Sequence, residues 1–343
     1  MKHLLNTLFV TTPGAYLSKE GETVVVRVEH ETKLQVPTVA LEGIVCLGGV
    51  GFSPPLMELC ADNGVTISFL TEQGRFLARV NGPVSGNILL RKEQYRRADN
   101  SEKTTALAQA FVIGKLANCR AVLLRAVRDG ADAEACNALT QCANYLKNII
   151  GELRRETDLE SVRGKEGQAG HAYFSAFDQL IVAQKDGFIF KERSRRPPLD
   201  NVNALLSFVY TLLAHDCVGA CEAVGFDPQA GYLHADKPGR PSLALDIMEE
   251  FRPFFADRLV LTLINRQQVK ADGFKKTESG AVTMSPETKK EVLKAYQERK
   301  REELVHPFLD EKVSLGLLPY IQARLLARHL RGDLDGYPPF VWK

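Results

Sequence analysis

The stretch NGPVSGNILLRKEQYRRADN at residues 81–100 separates two parts of the sequence that have different periodicities. Before it, short runs rich in β-branched residues are typical of strands. After it, apolar residues recur with a helical period almost to residue 343. We therefore predict an α+β protein of two domains, with a small β-rich domain at residues 1–95 and a larger all-α domain at residues 96–343.

The two domains are predicted to contain different elements. Six strands are expected in the first, at 7–11, 24–28, 33–36, 43–47, 65–70 and 76–80, with Glu72-Gln73-Gly74 as one of the turns. Ser53 and the two prolines after it indicate a short helix at 56–61, because proline suits the first helical turn. Eight helices are expected in the second, at 104–128, 133–157, 160–183, 201–224, 243–251, 254–270, 287–303 and 314–331.

The composition is that of a globular protein rather than a disordered or fibrous one, with 45% apolar and 25% charged residues. A net charge of only +2 does not by itself predict a polyanionic partner, so any nucleic-acid contact would come from local basic clusters. The first twelve residues lack the pattern of a signal peptide, and no run of about 18 uncharged apolar residues occurs. We therefore expect a cytoplasmic protein that does not enter a membrane.

Seven cysteines are present and none has the C-x-x-C spacing of a structural zinc site, so we expect reduced, buried thiols. Cys217 and Cys221 are one helical turn apart and His215 is nearby, which could hold a metal, but burial in a helix face is the favoured interpretation. The glycines of GGVG at 48–51 are not followed by the Lys and Ser or Thr of a phosphate loop, so they predict a turn.

An acidic helix is predicted in PSLALDIMEEFRP at residues 241–253, with Ser242 as its N-cap and an interruption at Pro253. Asp246, Glu249 and Glu250 occur at i, i+3 and i+4, which places them on one face of this helix. An exposed acidic face is the simplest interpretation of that pattern.

A metal site is the alternative interpretation of the acidic helix. His234 ends an apolar run just upstream of it, so the imidazole and the carboxylates could converge on one ion. That combination suits Mg²⁺ or Mn²⁺ better than a thiolate-bound metal. Taken alone, a histidine such as His234 is more often a core or capping residue than a metal ligand.

Glu166 lies in a glycine repeat, with Gly164, Gly167 and Gly170 spaced three residues apart. Because glycine weakens a helix, the repeat predicts a close approach by another backbone or helix, into which Glu166 could point. A frayed helix start with a solvated glutamate remains the alternative.

A basic run at residues 185–196 includes Arg193 and Arg196 and suits the binding of phosphate oxygens, although a solvated loop would look the same. Asn203, Ser207 and Tyr210 follow on one face of an apolar helix. They are predicted to form buried hydrogen bonds that support the packing.

Four elements together resemble the CRISPR-associated integrase family, Cas1: GKEG at 164–167, NVNALLSFVY at 201–210, GYLH at 231–234 and SLALDIMEEFRP at 242–253. The resemblance covers essentially the whole chain, since that family pairs an N-terminal β domain with a C-terminal helical domain. The stretch GRPSLALD at 239–246 is most similar to the type I-C branch.

The resemblance implies a site in which Glu166, His234 and Glu249 hold Mg²⁺ or Mn²⁺, with Asp246 in support. Many members have Asp as the last ligand, so Asp246 and Glu250 remain alternatives to Glu249. It also implies a homodimer that acts with Cas2 and inserts short DNA fragments into a CRISPR array, through attack by their 3′ hydroxyls. Phosphates of the DNA would then be bound, in our interpretation, by the basic residues Arg193, Arg196, Lys237 and Arg240.

Three other functions fit parts of the same pattern. A repair nuclease on branched DNA would use the same ligands but need neither Cas2 nor a repeat. A non-catalytic DNA-binding scaffold would not depend on Glu166 or His234. A small-molecule metallohydrolase would have no affinity for DNA.

Overall fold

A computed structural model describes residues 7–41, 43–71, 76–80, 82, 88–130 and 132–342. The chain forms two compact units, of which the first contains Met1–Ser85 with Tyr296–Glu302 and the second contains Gly86–Ala295 with Glu303–Lys343. The turn predicted at Glu72-Gln73-Gly74 lies outside the described residues, as do Pro83 and Gly86 of the predicted boundary.

The predicted domain boundary between residues 95 and 96 is wrong, because a helix, Ile88–Ala98, runs across it and belongs to the second unit. Gln94 in that helix is fully buried, and its Nε2 donates hydrogen bonds to the carbonyls of Asp227 and Ala230 at 2.7 and 2.8 Å. The charged residues around Gln94 gave this helix the appearance of a linker in the sequence.

Within the described ranges the first unit contains eight strands, one complete α-helix and a short 3-10 helix, Thr38–Ala40. The strands and the α-helix are β1 (Thr7–Val10), β2 (Tyr16–Glu20), β3 (Thr23–Val28), β4 (Glu31–Pro37), β5 (Gly43–Leu47), β6 (Gly51–Phe52), α1 (Pro54–Asp62), β7 (Thr66–Leu70) and β8 (Phe76–Val80). One sheet has the order β4-β3-β2-β6 and the other β1-β5-β7-β8. In the second sheet β1, β5 and β7 are parallel and β8 is antiparallel.

A buried apolar cluster joins the strands and the helix of the first unit. Leu17 from β2, Val24 from β3, Ile44 from β5 and Leu56 from α1 are all fully buried in it. The six predicted strands are present, and the turn predicted from the glycines at 48–51 is confirmed by the positive φ of 78° at Gly48. Strands β2 and β6 were not predicted, since one is largely polar and the other has two residues.

The second unit is mainly helical. Its helices are α2 (Ile88–Ala98), α3 (Ser101–Arg128), α4 (Ala133–Leu153), α5 (Leu159–Ser175), α6 (Asn201–Val224), α7 (Ser242–Glu249), α8 (Arg258–Asn265) and α10 (Leu318–Arg331), while α9 (Pro286–Arg301) ends in residues grouped with the first unit. A π-helical segment, Arg252–Asp257, joins α7 to α8. Helix α7 therefore ends before Pro253, in line with the predicted interruption, and the chain continues through the π-helical segment into α8.

The prediction of an all-α second domain is wrong in one respect, because two small antiparallel hairpins are present. β9 (Phe274–Lys276) pairs with β10 (Val282–Met284), and β11 (Glu303–Val305) pairs with β12 (Lys312–Ser314). Strands of three residues are shorter than the four to eight residues over which alternation identifies a strand, so sequence periodicity does not detect them.

Two helices, Ser101–Arg128 and Asn201–Val224, are long and apolar enough to span a membrane, which the sequence analysis did not anticipate. In each, 61% of the most apolar window is buried inside the structure. The core helices of soluble proteins meet the same criteria of length and composition, so this observation is weak support for a membrane.

Candidate metal centre

The carboxylate of Asp246 on α7 fixes the turn that carries His234. Asp246 is fully buried, and its Oδ2 accepts hydrogen bonds from the backbone N–H groups of Tyr232 at 2.6 Å and Leu233 at 3.0 Å. Its Oδ1 accepts from the backbone N–H of His234 at 2.9 Å. A Cβ on Gly231 would come within 2.8 Å of Asp246 Oδ2, so glycine is needed for this close approach.

The imidazole of His234 has one nitrogen fixed and the other directed at a carboxylate. Its Nδ1 lies 2.7 Å from Asp246 Oδ1, and its Nε2 lies 3.8 Å from Glu249 Oε1. A carboxylate beside Nδ1 favours the tautomer with the proton on Nδ1, which leaves the Nε2 lone pair free to bind a metal. The turn is held from a second side, since Arg163 Nε donates to the carbonyl of Leu233 at 2.6 Å.

Glu249 is a buried carboxylate among positive groups. Only 2% of its side chain is exposed, and Arg252 Nη1 lies 2.7 Å from its Oε1 and Lys115 Nζ 2.8 Å from its Oε2. Burial would raise the pKa of Glu249, but the positive charges of Arg252 and Lys115 hold it below its usual range. Because Asp246, Glu249 and Glu250 are all buried, the interpretation of α7 as an exposed acidic face is wrong.

Lys115 links Glu249 to Glu166. Its ammonium, at the inner face of α3, forms ion pairs with Glu166 Oε1 on α5 and with Glu249 Oε2 on α7. Burial would lower the pKa of Lys115, but the charges of Glu249 and Glu166 outweigh this effect and raise it. Sequence analysis did not single out Lys115, although one lysine within the apolar run of residues 111–117 is a recognisable signal of a buried charge.

The structure therefore links the three predicted ligands in one chain of contacts, in which Lys115 pairs with Glu166 and Glu249 and His234 faces Glu249. Within the ranges that the structure describes, no three His, Cys, Asp or Glu side chains are close enough to hold an ion as they stand. The donor set nevertheless fits a hard divalent cation. It offers two carboxylates and an oriented imidazole, which are ligands that such an ion accepts.

Glu250, one of the alternatives to Glu249, is directed into a different network. Its Oε1 accepts a hydrogen bond from the Tyr337 hydroxyl at 2.5 Å, and its Oε2 accepts from Gln322 Nε2 at 2.8 Å and from the backbone N–H of Phe340 at 2.6 Å. Neighbouring residues on one short helix therefore have separate roles, and Glu249 is the carboxylate that faces His234.

Glu250 predicts a fall in stability as the pH rises. Burial raises its pKa from 4.5 to about 8, against the hydrogen bonds that lower it. Between pH values equal to these two pKa values, the folded protein holds a proton that the unfolded chain releases. The free energy of unfolding therefore decreases there as the pH rises, by about 1.4 kcal/mol per pH unit. We expect the wild type to lose roughly 2 kcal/mol of unfolding free energy between pH 6 and pH 8 through this group, measured by urea denaturation.

Glu250→Gln is the matched variant, since its amide can donate to the Tyr337 oxygen while its carbonyl accepts from Gln322 and Phe340. This variant cannot release a proton, so its unfolding free energy should change little between pH 6 and pH 8. Equal slopes for the two proteins would show that Glu250 does not titrate in this range.

A cavity of about 290 Å³ adjoins the ion-pair cluster. Its lining includes Lys115, Glu166, Arg193, Tyr210, Arg252 and Asp257. The hydroxyl of Tyr210 donates to Asp257 Oδ1 at 2.5 Å, and burial raises the pKa of Asp257 to about 6. The cationic side chains of Lys115, Arg193 and Arg252 thus line a cavity beside Glu166.

The glycine repeat lies along this cavity and does not pack against another helix. A Cβ on Gly164 or Gly167 would meet no atom within 4 Å, and one on Gly170 would meet only Glu166 Oε1, at 3.8 Å. The predicted close approach by a backbone or helix is therefore wrong. Because Gly167 and Gly170 line the cavity, their missing side chains leave it open next to Glu166.

The four predicted DNA-binding residues differ in exposure. Arg193 turns inward, where its Nη1 donates to Asn203 Oδ1 at 2.6 Å and its Nη2 to Ser207 Oγ at 3.1 Å. Its guanidinium also lies 5.3 Å from the centre of the Tyr210 ring, so the supporting role predicted for that helix face is confirmed.

The other three basic residues lie nearer the surface. Arg196 and Lys237 are exposed, whereas Arg240 is half-buried and its Nε lies 3.3 Å from Ser242 Oγ. The side chain of Ser242 does not cap α7, contrary to the prediction, and instead donates to the carbonyl of Ala235 at 3.3 Å.

The cysteines are reduced thiols, and six of the seven are buried while Cys136 is half-buried. Cys217 and Cys221 are fully buried on α6, and burial raises the pKa of Cys217 well above its usual value. The prediction that these two thiols serve packing is therefore confirmed.

Comparisons with known proteins agree over nearly the whole length. The family model of the CRISPR associated protein Cas1 matches residues 8–298. The "CRISPR-associated endonuclease Cas1 1" of Chlorobaculum tepidum is 54% identical over 343 residues, covering 100% of both chains. The "CRISPR-associated endonuclease Cas1 2" of Rhodospirillum rubrum is 51% identical over 347 residues, again covering 100% of both.

Solved structures share the architecture. A CAS1 protein from Thermotoga maritima has a TM-score of 0.82 at 25% identity and covers 95% of this chain and 97% of its own. A casposase bound to integration product has a TM-score of 0.84 at 20% identity, with coverage of 98% and 94%, which shows a common fold alone. The family match and the curated relatives establish that this chain belongs to the Cas1 family of CRISPR-associated proteins.

Proposed function

We propose that the chain is a metal-dependent DNA endonuclease and integrase of CRISPR adaptation, which joins the 3′ hydroxyl ends of short DNA fragments into a CRISPR array. The observation that carries the proposal is the orientation of His234, held by Asp246 on one side and facing Glu249 on the other. Membership in the Cas1 family, with relatives named as endonucleases, supports the reaction class.

Glu166, His234 Nε2 and Glu249 would hold Mg²⁺ or Mn²⁺, and the bound ion would stabilise negative charge at the scissile phosphate. Asp246 Oδ1, 2.7 Å from Nδ1, would keep the proton of His234 on that nitrogen, so that Nε2 could donate its lone pair to the ion. Arg252 offsets the negative charge of Glu249 at Oε1, the oxygen that also faces His234. A 3′ hydroxyl positioned in line with the phosphate then gives strand transfer, and water in its place gives hydrolysis.

The open cavity suits the approach of a DNA strand. Gly167 and Gly170 present no side chains there, and glycine is typical where a ligand approaches a backbone closely. Arg193 lines the same cavity, in a position to contact a phosphate without leaving its hydrogen bonds to α6. Arg196, Lys237 and Arg240 would extend the contact with the DNA backbone.

The exposed basic residues give a prediction about salt. Replacing both Arg196 and Lys237 by Ala should weaken DNA binding equally for unrelated sequences, because phosphate contacts carry no sequence information. The slope of log K against log salt should decrease by about 2, roughly 1 for each lost phosphate contact. A fluorescence-anisotropy titration at several salt concentrations measures both effects.

Lys147→Ala is a suitable control, since Lys147 is an exposed lysine on α4 outside the basic run. It should leave the slope unchanged. An equal slope for the double variant and the control would show that Arg196 and Lys237 do not contact the DNA.

We further infer that the protein acts as a cytoplasmic homodimer together with Cas2. The inference rests on its family, and assignment to the type I-C branch rests on the GRPSLALD stretch at 239–246. Cas2 and the CRISPR repeat are therefore the partners that the functional assay has to include.

The test is Mn²⁺-dependent transfer of a short duplex into a repeat-bearing plasmid, with and without Cas2 and with and without a chelator. Joined product that requires Mn²⁺, Cas2 and the repeat supports the integrase. Cleavage of branched DNA without Cas2 or a repeat would indicate a repair nuclease instead. Binding without any product would indicate a scaffold, and the absence of DNA affinity would favour a small-molecule hydrolase.

A further inference from the structure

Lys115 is the one group, among the described residues, that forms ion pairs with both Glu166 and Glu249. These carboxylates belong to different helices, α5 and α7, while Lys115 belongs to a third, α3. Lysine is rarely buried unless it is paired, and this side chain is only 9% exposed. A positive charge therefore lies between the two carboxylates proposed as metal ligands.

Arg252 also contacts Glu249, but it is placed differently. It lies against the other carboxylate oxygen, Oε1, and its guanidinium lies 5.0 Å from the centre of the Tyr210 ring. Its planar guanidinium is thus fixed by two neighbours. The ammonium of Lys115, by contrast, is a point charge on a flexible four-carbon stem that can turn without moving its helix.

Space for such a movement is present beside the ammonium. Lys115 and Glu166 both line the cavity of about 290 Å³, together with Cys119 from the next turn of α3. The ammonium can therefore leave the two carboxylates for the cavity without displacing a packed side chain of the core.

We propose that Lys115 is an internal counter-ion, which holds Glu166 and Glu249 together before the metal binds and is displaced into the cavity when it does. The proposal rests on the proposed metal site. A divalent cation on the same carboxylates would repel the ammonium, so the two cations compete. Lys115 thereby stabilises the metal-free protein and weakens its affinity for metal.

The first test compares Mn²⁺ binding by wild type and Lys115→Met, measured by titration calorimetry. Met has a similar length and no charge, so the variant should bind Mn²⁺ about tenfold or more tightly, since a repelling charge has been removed. In chelator its melting temperature should be lower than that of wild type, because Glu249 loses a counter-ion in a buried site. Mn²⁺ should then raise the melting temperature of the variant by more than that of wild type.

Two variants control for general effects. Lys165→Met removes another lysine that pairs with two carboxylates, Glu152 and Glu156, neither of which is a proposed ligand. It should leave Mn²⁺ affinity unchanged. Lys115→Arg retains the charge and should bind Mn²⁺ no more tightly than wild type.

A second test uses the wild-type protein and does not depend on how a variant folds. Lysines are acetylated with a limiting reagent in chelator and in saturating Mn²⁺, and the modified sites are quantified by mass spectrometry. Acetylation of Lys115 should increase several-fold with Mn²⁺, while Lys165 should not change. Unchanged or reduced modification of Lys115 in Mn²⁺ would overturn the proposal.

The calorimetric outcomes separate this proposal from the proposed function. If wild type binds Mn²⁺ and His234→Ala weakens that binding, but Lys115→Met binds no more tightly, the counter-ion role is wrong and the metal site stands. If neither wild type nor Lys115→Met binds Mn²⁺ in a way that depends on His234, both proposals fail.

Discussion

His234→Ala is expected to lower Mn²⁺-dependent strand transfer about a thousandfold or more. A bound metal contributes several kcal/mol to the stabilisation of transition-state charge, and each 1.4 kcal/mol corresponds to a factor of ten in rate. The variant removes the nitrogen that faces Glu249 and leaves Glu249 with Arg252 and Lys115. The measurement is the initial rate of joined product with the short duplex and repeat-bearing plasmid.

The loss should occur without unfolding or loss of DNA binding. A quarter of the His234 side chain is exposed, and Asp246 keeps its three backbone hydrogen bonds when the imidazole is removed. Circular dichroism and a DNA titration check both points. His30→Ala, which removes an exposed histidine of the first unit, is the control and should remain within about twofold of wild type. Normal strand transfer by His234→Ala would show that the metal site is wrongly placed.

The elements that the sequence predicted well have strong local signals. Helix α6 spans Asn201–Val224 as predicted, because Asp200 caps it through the backbone N–H of Asn203 and Gly225 ends it in a left-handed conformation. Strand β5 also has the predicted bounds, and all but its first residue are buried. Helix α2 was missed because its buried polar residue, Gln94, interrupts the apolar period that sequence analysis depends on.

The candidate site was predicted only in part, because its contacts join distant segments. Helical spacing placed Asp246, Glu249 and Glu250 on one face but could not assign them different partners. Asp246 accepts hydrogen bonds from the turn that carries His234, Glu249 pairs with an ammonium on α3, and Glu250 accepts a hydrogen bond from the backbone of Phe340. Periodicity describes contacts within one element and carries no information about which other element meets it.

Asp246→Asn is expected to reduce strand transfer about 100-fold, although we propose that Asp246 positions His234 and is not one of the three proposed metal ligands. Residues that orient a metal-bound histidine typically contribute this much to affinity or activity. Both oxygens of Asp246 accept from donors: Oδ2 from two backbone N–H groups, and Oδ1 from the backbone N–H and Nδ1 of His234. A backbone N–H group can only donate a hydrogen bond. Whether the NH₂ group of the asparagine takes the place of Oδ1 or of Oδ2, it would therefore face another donor.

With the NH₂ near His234, the imidazole must move its proton to Nε2, which blocks the lone pair that faces Glu249. With the NH₂ near the turn, two buried N–H groups lose their acceptor, at about 1–3 kcal/mol each. The first orientation predicts a lower strand-transfer rate and a lower Mn²⁺ affinity, and the second predicts a lower melting temperature, so these three measurements distinguish the two orientations. Asp236→Asn, which alters an exposed acid in the same loop, is the control and should behave as wild type. A fully active Asp246→Asn would mean that the His234 tautomer is set by another group, and that the carboxylate of Asp246 serves only to hold the turn.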